Sequence, residues 1–401
     1  MTDFRTLDDL EVFGRTVMVR GDLNVPVSDG RVIDATRIDR LALTLTELAG
    51  KGAKVVVISH FGRPQGGPDT ANSLRQLVPD LERALGRPVA FATDCIGPRA
   101  KLAVGKLANG GILLLENLRF HDGEVDNNKN FANALAELGD IYVNDAFSCA
   151  HRAHASTEAL ARLLPCAAGR LMQAELATLA RVLGNPERPL AAVVGGSKIS
   201  TKLELLGNLV RRVDRLVLGG GMANTFLFAA GVTIGKSLCE AEMAEQARAI
   251  ADTARETGCA LILPVDAMVA MEFKAGAASM ATAIDQIPND AMMLDIGPKS
   301  VALIIEQLRT CKTVVWNGPL GAFEIEPFDQ GTNAVAQAVA ELTSNGVLLS
   351  VAGGGDTGAA LEHAGVVRDF SYVSTAGGAF LEWLEGKTLP GIAVLSKHSP
   401  Q

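Results

Sequence analysis

Short apolar, β-branched runs recur along the chain, each followed by a polar or glycine-rich break and then a longer helical pattern. Parallel βαβ units require this rhythm. In the first half it predicts strands over 16–20, 55–59, 112–116 and 141–144. In the second half the runs are 192–194, 216–218, 261–265, 314–316, 347–351 and 372–374. Stretches rich in Ala, Leu, Glu and Arg, such as 241–256 and 332–343, read as helices covering both sheet faces. The predicted class is α/β with parallel sheets.

Between the halves, 170–184 reads as one amphipathic helix with Leu171, Leu176, Leu179 and Leu183 near one face, closed by Asn185-Pro186-Glu187-Arg188-Pro189. Two prolines at its end make a stiff joint. Residues 170–186 are therefore expected to link an N-terminal domain, 1–169, to a C-terminal domain, 187–389. The tail 390–401 follows the last helix and could pack back onto the first domain; the sequence leaves that open.

Composition narrows the class. At roughly 150 residues per domain, 401 residues imply two to three domains. Hydrophobic residues make up 48% and charged residues 20%, which excludes global disorder. The formal net charge of −8 argues against a long nucleic-acid track. The six cysteines have no Cys-x-x-Cys pair and no histidines at zinc spacing, so reduced, buried thiols are expected. With no leader pattern and no apolar run near the ~20 residues that span a bilayer, a soluble cytoplasmic protein is expected.

Ligands of open parallel sheets bind beyond the carboxyl ends of the strands. In the first half those ends carry Arg20-Gly21-Asp22-Leu23-Asn24, Ser59-His60-Phe61-Gly62-Arg63, Glu116-Asn117-Leu118-Arg119 and Asn144-Asp145-Ala146-Phe147, with Arg37 and His151-Arg152-Ala153-His154 nearby. A single arginine is as readily a surface cation, but recurrence at several strand ends points to a small anionic guest gripped through bidentate guanidinium bonds. His151 and His154 lack a third metal ligand. His60 suits hydrogen bonding to the same anion, and Asp22 suits a hydroxyl.

In the second half the ends are glycine-rich: Gly195-Gly196-Ser197-Lys198, Gly219-Gly220-Gly221, Asn317-Gly318-Pro319 and Gly353-Gly354-Gly355-Asp356-Thr357. Bare backbone N–H groups and the helix starts that follow suit a polyphosphate. The run 198–209 reads as helical from about its second residue, which puts Lys198 and Lys202 on one side where it opens. Either lysine could reach a polyphosphate or form a solvated face, and the glycines favour the former. The segment 231–237 is one residue short of a Walker A loop, with Ala230 where its first glycine belongs. Gly353-x-Gly355-x-x-Gly358 matches a dinucleotide fingerprint but stands too near the chain end for the sheet that normally follows.

Taken in order, 20–26, 59–64, 195–198, 316–319 and 353–357 resemble the phosphoglycerate kinase family, and the resemblance runs from about residue 8 to 391. It implies two Rossmann-like, three-layer α/β/α domains with parallel sheets joined by a linker helix. It further implies a monomeric transferase of glycolysis and gluconeogenesis that moves a phosphoryl group between 1,3-bisphosphoglycerate and ADP, with Mg2+ bound as Mg-ADP or Mg-ATP. By motif, the acid, 3-phosphoglycerate or its bisphosphate, falls to Asp22, Leu23, Asn24, Arg37, His60, Phe61, Gly62, Arg63, Arg119 and Arg152. The nucleotide falls to Gly196, Lys198, Lys202, Gly219, Gly220, Asn317, Glu324, Gly353, Gly354, Gly355, Asp356 and Thr357. Within these, Glu324 would hold the ribose and Asp356 the metal, while Arg37, Lys198, Gly354, Gly377 and Gly378 would stabilise the transferring group. Gly21, Ser148, Cys149, Ser197 and Ala376 depart from the family pattern. The competing readings are an NAD(P)-dependent oxidoreductase using 353–358, and an inactive nucleotide-binding scaffold.

Overall fold

A computed structural model describes residues 4–28, 30–65, 67–184, 186–374 and 376–396. The chain divides into two compact units, Met1–Ala177 with Thr388–Gln401, and Thr178–Lys387. The chain crosses from one to the other within the helix Arg170–Leu179, which continues as a wider π-type turn, Ala180–Gly184. The predicted single helix over 170–184 thus changes winding part-way. Met172, Leu176 and Leu179 form its buried face; the side chain of Leu183 lies outside the described residues.

The first unit is built on six parallel strands: β1 Thr16–Arg20, β2 Lys54–Ile58, β3 Ala90–Phe91, β4 Ile112–Leu114, β5 Ile141–Asn144 and β6 Cys166–Ala168. Their order is β3-β4-β2-β1-β5-β6. Val17 and Val19 of β1 lie between Val55 and Val57 of β2 and Ile141 and Val143 of β5, all fully or nearly fully buried. Such two-sided burial is why these strands read as continuous apolar runs. The helix Thr36–Gly50 lays Leu41, Leu45 and Leu48 on the sheet, each contributing about 1.5–3 kcal/mol. The tail helix Pro390–Ala393 belongs to this unit: Gly391 N–H donates to Ala150 O at 2.9 Å, and Asn144 Nδ2 donates to Gly391 O at 3.2 Å.

The second unit holds a parallel sheet of β7 Leu190–Val194, β8 Arg215–Leu218, β9 Ala260–Ile262, β13 Thr313–Asn317, β14 Leu349–Gly353 and β15 Tyr372–Ser374, ordered β9-β8-β7-β13-β14-β15. Between β9 and β13 it carries an antiparallel sheet absent from the sequence reading: β10 Asp266–Ala270, flanked by β11 Ser279–Ala283 and β12 Met292–Ile296. All six cysteines are free and five are buried, as anticipated. Among the described residues no helix is long and apolar enough to cross a membrane.

Candidate active site

In each unit the strand order reverses beside the first strand, between β1 and β5 and between β7 and β13. A crevice opens at such a point. Both candidate sites lie there.

In the first unit Asp22, just past β1, accepts from Ser148, just past β5, and pairs with Arg37 Nη1 at 2.9 Å. Arg37 Nη1 also donates to Asn24 O at 2.7 Å. Gly62 N–H donates to Asn24 Oδ1 at 2.9 Å, and Arg119 Nη1 donates to Gly62 O at 2.6 Å. One continuous network therefore joins Asp22, Asn24, Arg37, Gly62 and Arg119. Leu23 and Phe61 are buried and contribute through backbone, Leu23 N–H donating to Ser59 Oγ and Phe61 N–H to Asn117 Oδ1. Arg63 and Arg152 are exposed, and their guanidinium groups make no hydrogen bond or ion pair among the described residues.

Behind this rim lies Arg20, a cation the sequence reading left without a role. It is fully buried, donates to Ser156 Oγ at 2.8 Å, and sits 3.1 Å from His60 Nδ1. Since Arg20 has only donors, His60 Nδ1 accepts and the ring proton resides on Nε2. Burial, then Arg20, Arg119, His154 and Arg37, hold His60 well below its ordinary range. Burial, then Arg20 and Arg119, push His154 down to about 4. Burial, then Arg20, also lowers Arg119. Burial comes first in each case, and the repulsion from Arg20 and its cationic neighbours that comes next is relieved by an anionic ligand.

In the second unit Lys202, past β7, reaches Asn317 at the end of β13: Nζ donates to Asn317 Oδ1 at 2.6 Å and to Gly195 O at 2.7 Å. Asn317 Nδ2 donates to Gly353 O at 2.7 Å, and Thr357 Oγ1 donates to Gly353 O and accepts from Gly318 N–H. Burial lowers Lys202 to about 8, with Asp356 acting the other way. Gly354 takes φ +110°, and a Cβ there would stand 2.7 Å from Asn317 Nδ2. A Cβ added to Gly377, which opens the helix Gly377–Leu384 with Gly378, would stand 3.3 Å from Gly354 Cα.

The predicted helix over 199–209 begins only at Leu203. Ser200 bonds to Glu240, and Thr201 Oγ1 bonds back to Lys198 O, so 197–202 forms turns. Lys198 and Lys202 therefore do not share a helix side: Lys198 is exposed, whereas Lys202 points into the glycine network.

A cavity of about 550 Å³ adjoins this network and brings together Gly196, Gly220, Glu324 and Asp356. Gly219 caps the helix Gly220–Ala229 at its edge. The sequence reading missed its apolar walls, among them Leu238, Phe273, Met293 and Leu294, and it missed Lys236. Lys236 does sit in 231–237, but on a loop after a helix, which is not a phosphate-loop context. At 353–358 only the edge strand β15 follows, so the second half of a dinucleotide fold is absent among the described residues.

The sequence model of the phosphoglycerate kinase family matches residues 7–387. The chain belongs to that family. A phosphoglycerate kinase of Rhodospirillum centenum is 67% identical over 392 residues, covering 98% of this chain and 99% of the relative. One from Methylorubrum extorquens is 60% identical over 396 residues, covering 98% and 99%. The solved phosphoglycerate kinase of Coxiella burnetii superposes with a TM-score of 0.92 at 43% identity, covering 99% of this chain and 100% of the other. That of Pyrococcus horikoshii OT3 gives 0.78 at 29% identity, covering 98% of each.

The departures from the family pattern have local explanations. A Cβ on Gly21 would lie 2.4 Å from Leu41 Cδ2, so glycine there accommodates this core leucine. Ser148 supplies the hydroxyl to Asp22, Cys149 is buried beside Arg20, and Ser197 lines the cavity. Ala376 is buried at the start of the last helix of the second unit.

Proposed function

We propose that the chain catalyses reversible, Mg-dependent phosphoryl transfer between 1,3-bisphosphoglycerate and ADP, yielding 3-phosphoglycerate and ATP. The observation that carries this reading is the pair of switch-point sites, one rich in uncompensated arginine and one cradled in glycine, on a chain of this family. The first unit, with its tail, binds the acid. Arg63, Arg119 and Arg152 take its anionic groups, Asp22 accepts its hydroxyl, and His60 donates through Nε2. The second unit binds the nucleotide. Lys202 and the N–H groups opening the helix Gly355–His363 meet the phosphates, Glu324 meets the ribose, and Gly219 and Gly220 form a wall for the base.

Asp356 fits a magnesium role. Its exposed carboxylate has no hydrogen bond or ion pair among the described residues and stands in the first turn of that helix. Mg2+ is commonly held by one or two carboxylates together with substrate phosphates. When bound, the ion neutralises phosphate charge.

The protein need form no covalent bond in such a transfer, since holding donor and acceptor in line and stabilising the moving charge suffice. Arg37, Lys198 and the backbone N–H groups of Gly354, Gly377 and Gly378 serve that charge. With the two substrates on different units, transfer requires the units to close over both and expel water, with 170–186 as linker. The protein acts as a cytoplasmic monomer. A coupled assay tests the reading: Mg-dependent ATP formation from 1,3-bisphosphoglycerate and ADP supports it, and folded protein without such turnover overturns it.

A further inference from the structure

We propose that Asp94, Cys95 and His121 form a binding site for a divalent metal ion of the zinc class, separate from the substrate sites. Asp94 and Cys95 occupy the turn between β3 and the helix Gly97–Gly105, and His121 follows the one-turn helix Leu118–Phe120. A carboxylate oxygen, the thiol sulfur and an imidazole nitrogen from these residues lie within 4.8 Å of one another. Asp94 Oδ1 is 2.8 Å from His121 Nε2. A tetrahedral ion keeps such donors about 3.3–3.7 Å apart, so rotations of about 1 Å close the set around it.

The donor chemistry selects the metal. Thiolate with imidazole suits zinc-like ions and is poor for magnesium or calcium. Three protein donors leave a fourth position for water. Access is from solvent, because the Asp94 and His121 side chains are 36% and 33% exposed above a buried Cys95. Phe131 packs 5.3 Å from the His121 ring centroid and orients it. Binding replaces the Cys95 thiol proton, which leaves to solvent, and requires the His121 proton on Nδ1.

A second His/Cys/Asp group provides the contrast. Asp22, His60 and Cys149 cluster as tightly, yet Arg20 Nη2 lies 3.7 Å from Cys149 Sγ and Arg37 pairs with Asp22 at 2.9 Å. Fixed cations exclude a metal there.

Titration of the full chain with Co2+ alone tests the proposal. The expected result is one equivalent bound with a near-ultraviolet thiolate-to-cobalt band, displaced by Zn2+. Cys95→Ser abolishes the band, and His121→Gln, a change at a partly exposed position, weakens binding by about tenfold or more. Cys149→Ser leaves the band in place. Absence of the band from the parent chain overturns the site, as does a band that survives Cys95→Ser and vanishes in Cys149→Ser, or unaltered affinity in folded His121→Gln.

Discussion

Lys202 Nζ lies 2.6 Å from Asn317 Oδ1, a contact between the loop after β7 and the end of β13 that spans the switch point of the second unit. Its three acceptors, Gly195 O, Asn317 O and Asn317 Oδ1, carry no formal charge. Burial therefore lowers the ammonium to about 8. A polyphosphate at this place restores the missing counter-charge and raises it again. Near pH 8, nucleotide binding should take up a fraction of a proton. Calorimetry of ADP binding in buffers of different ionisation enthalpy checks this; buffer-independent heats at pH 8 would contradict it. In the free protein the sign is the reverse of a stabilising ion pair. A lysine depressed from its ordinary value costs stability below pH 8 and ceases to do so as pH rises toward the unfolded value.

Gly354 supports that lysine indirectly. An added Cβ would meet Asn317 Nδ2 at 2.7 Å and Thr357 Oγ1 at 3.1 Å, at a φ of +110° that disfavours a side chain. Gly354→Ala should cost about 1–3 kcal/mol of local strain and displace Asn317, and with it Lys202. ADP affinity should fall by about tenfold or more while 3-phosphoglycerate affinity holds. Parallel titrations with the two ligands decide; equal losses for both would count against local action.

Arg37 acts on turnover rather than on nucleotide binding. Held by Asp22 and Asn24 O at the edge of the acid site, it serves charge that develops during transfer. Arg37→Ala should lower kcat by about 100-fold or more and leave the ADP dissociation constant within about twofold. Comparable losses in both quantities would refute the assignment.

Asp145 costs the fold stability at neutral pH. Its Oδ1 accepts from Met172 N–H at the opening of the helix Arg170–Leu179, and the buried carboxyl also faces the Thr44 hydroxyl. Burial pushes the group up to about 6, against hydrogen bonding from the Thr44 hydroxyl and the helix N–H groups. A carboxyl raised on folding destabilises above pH 6, and the cost disappears as pH falls toward its unfolded value. Asp145→Asn should therefore raise the apparent melting temperature at pH 8 more than at pH 5. An unchanged difference across that range would contradict it.

Strands buried on both faces, such as β1 and β2, were legible because their apolar runs are continuous. The two-residue β3 and the three-residue β6 are too short to carry a period. The antiparallel sheet escaped because Ser279–Ala283 is mostly small residues without β-branched alternation. Polar and charged site residues were legible at the strand ends or just beyond them, and Asp22, Asn24, Arg37 and Arg119 do meet. Leu238, Phe273 and Met293 were not: they are ordinary apolar residues that acquire a role only when distant segments form one cavity. Arg20 also went unassigned, since nothing in sequence distinguishes a buried arginine from a surface one.

The division of labour between the units is tested most directly by titrating 3-phosphoglycerate and ADP separately into Arg119→Ala and Lys202→Ala. The account predicts a crossed result: Arg119→Ala weakens 3-phosphoglycerate by about tenfold or more with ADP unchanged, and Lys202→Ala does the opposite. If either variant weakened both ligands equally, or each weakened the other's partner, the assignment of acid and nucleotide to separate units would be wrong.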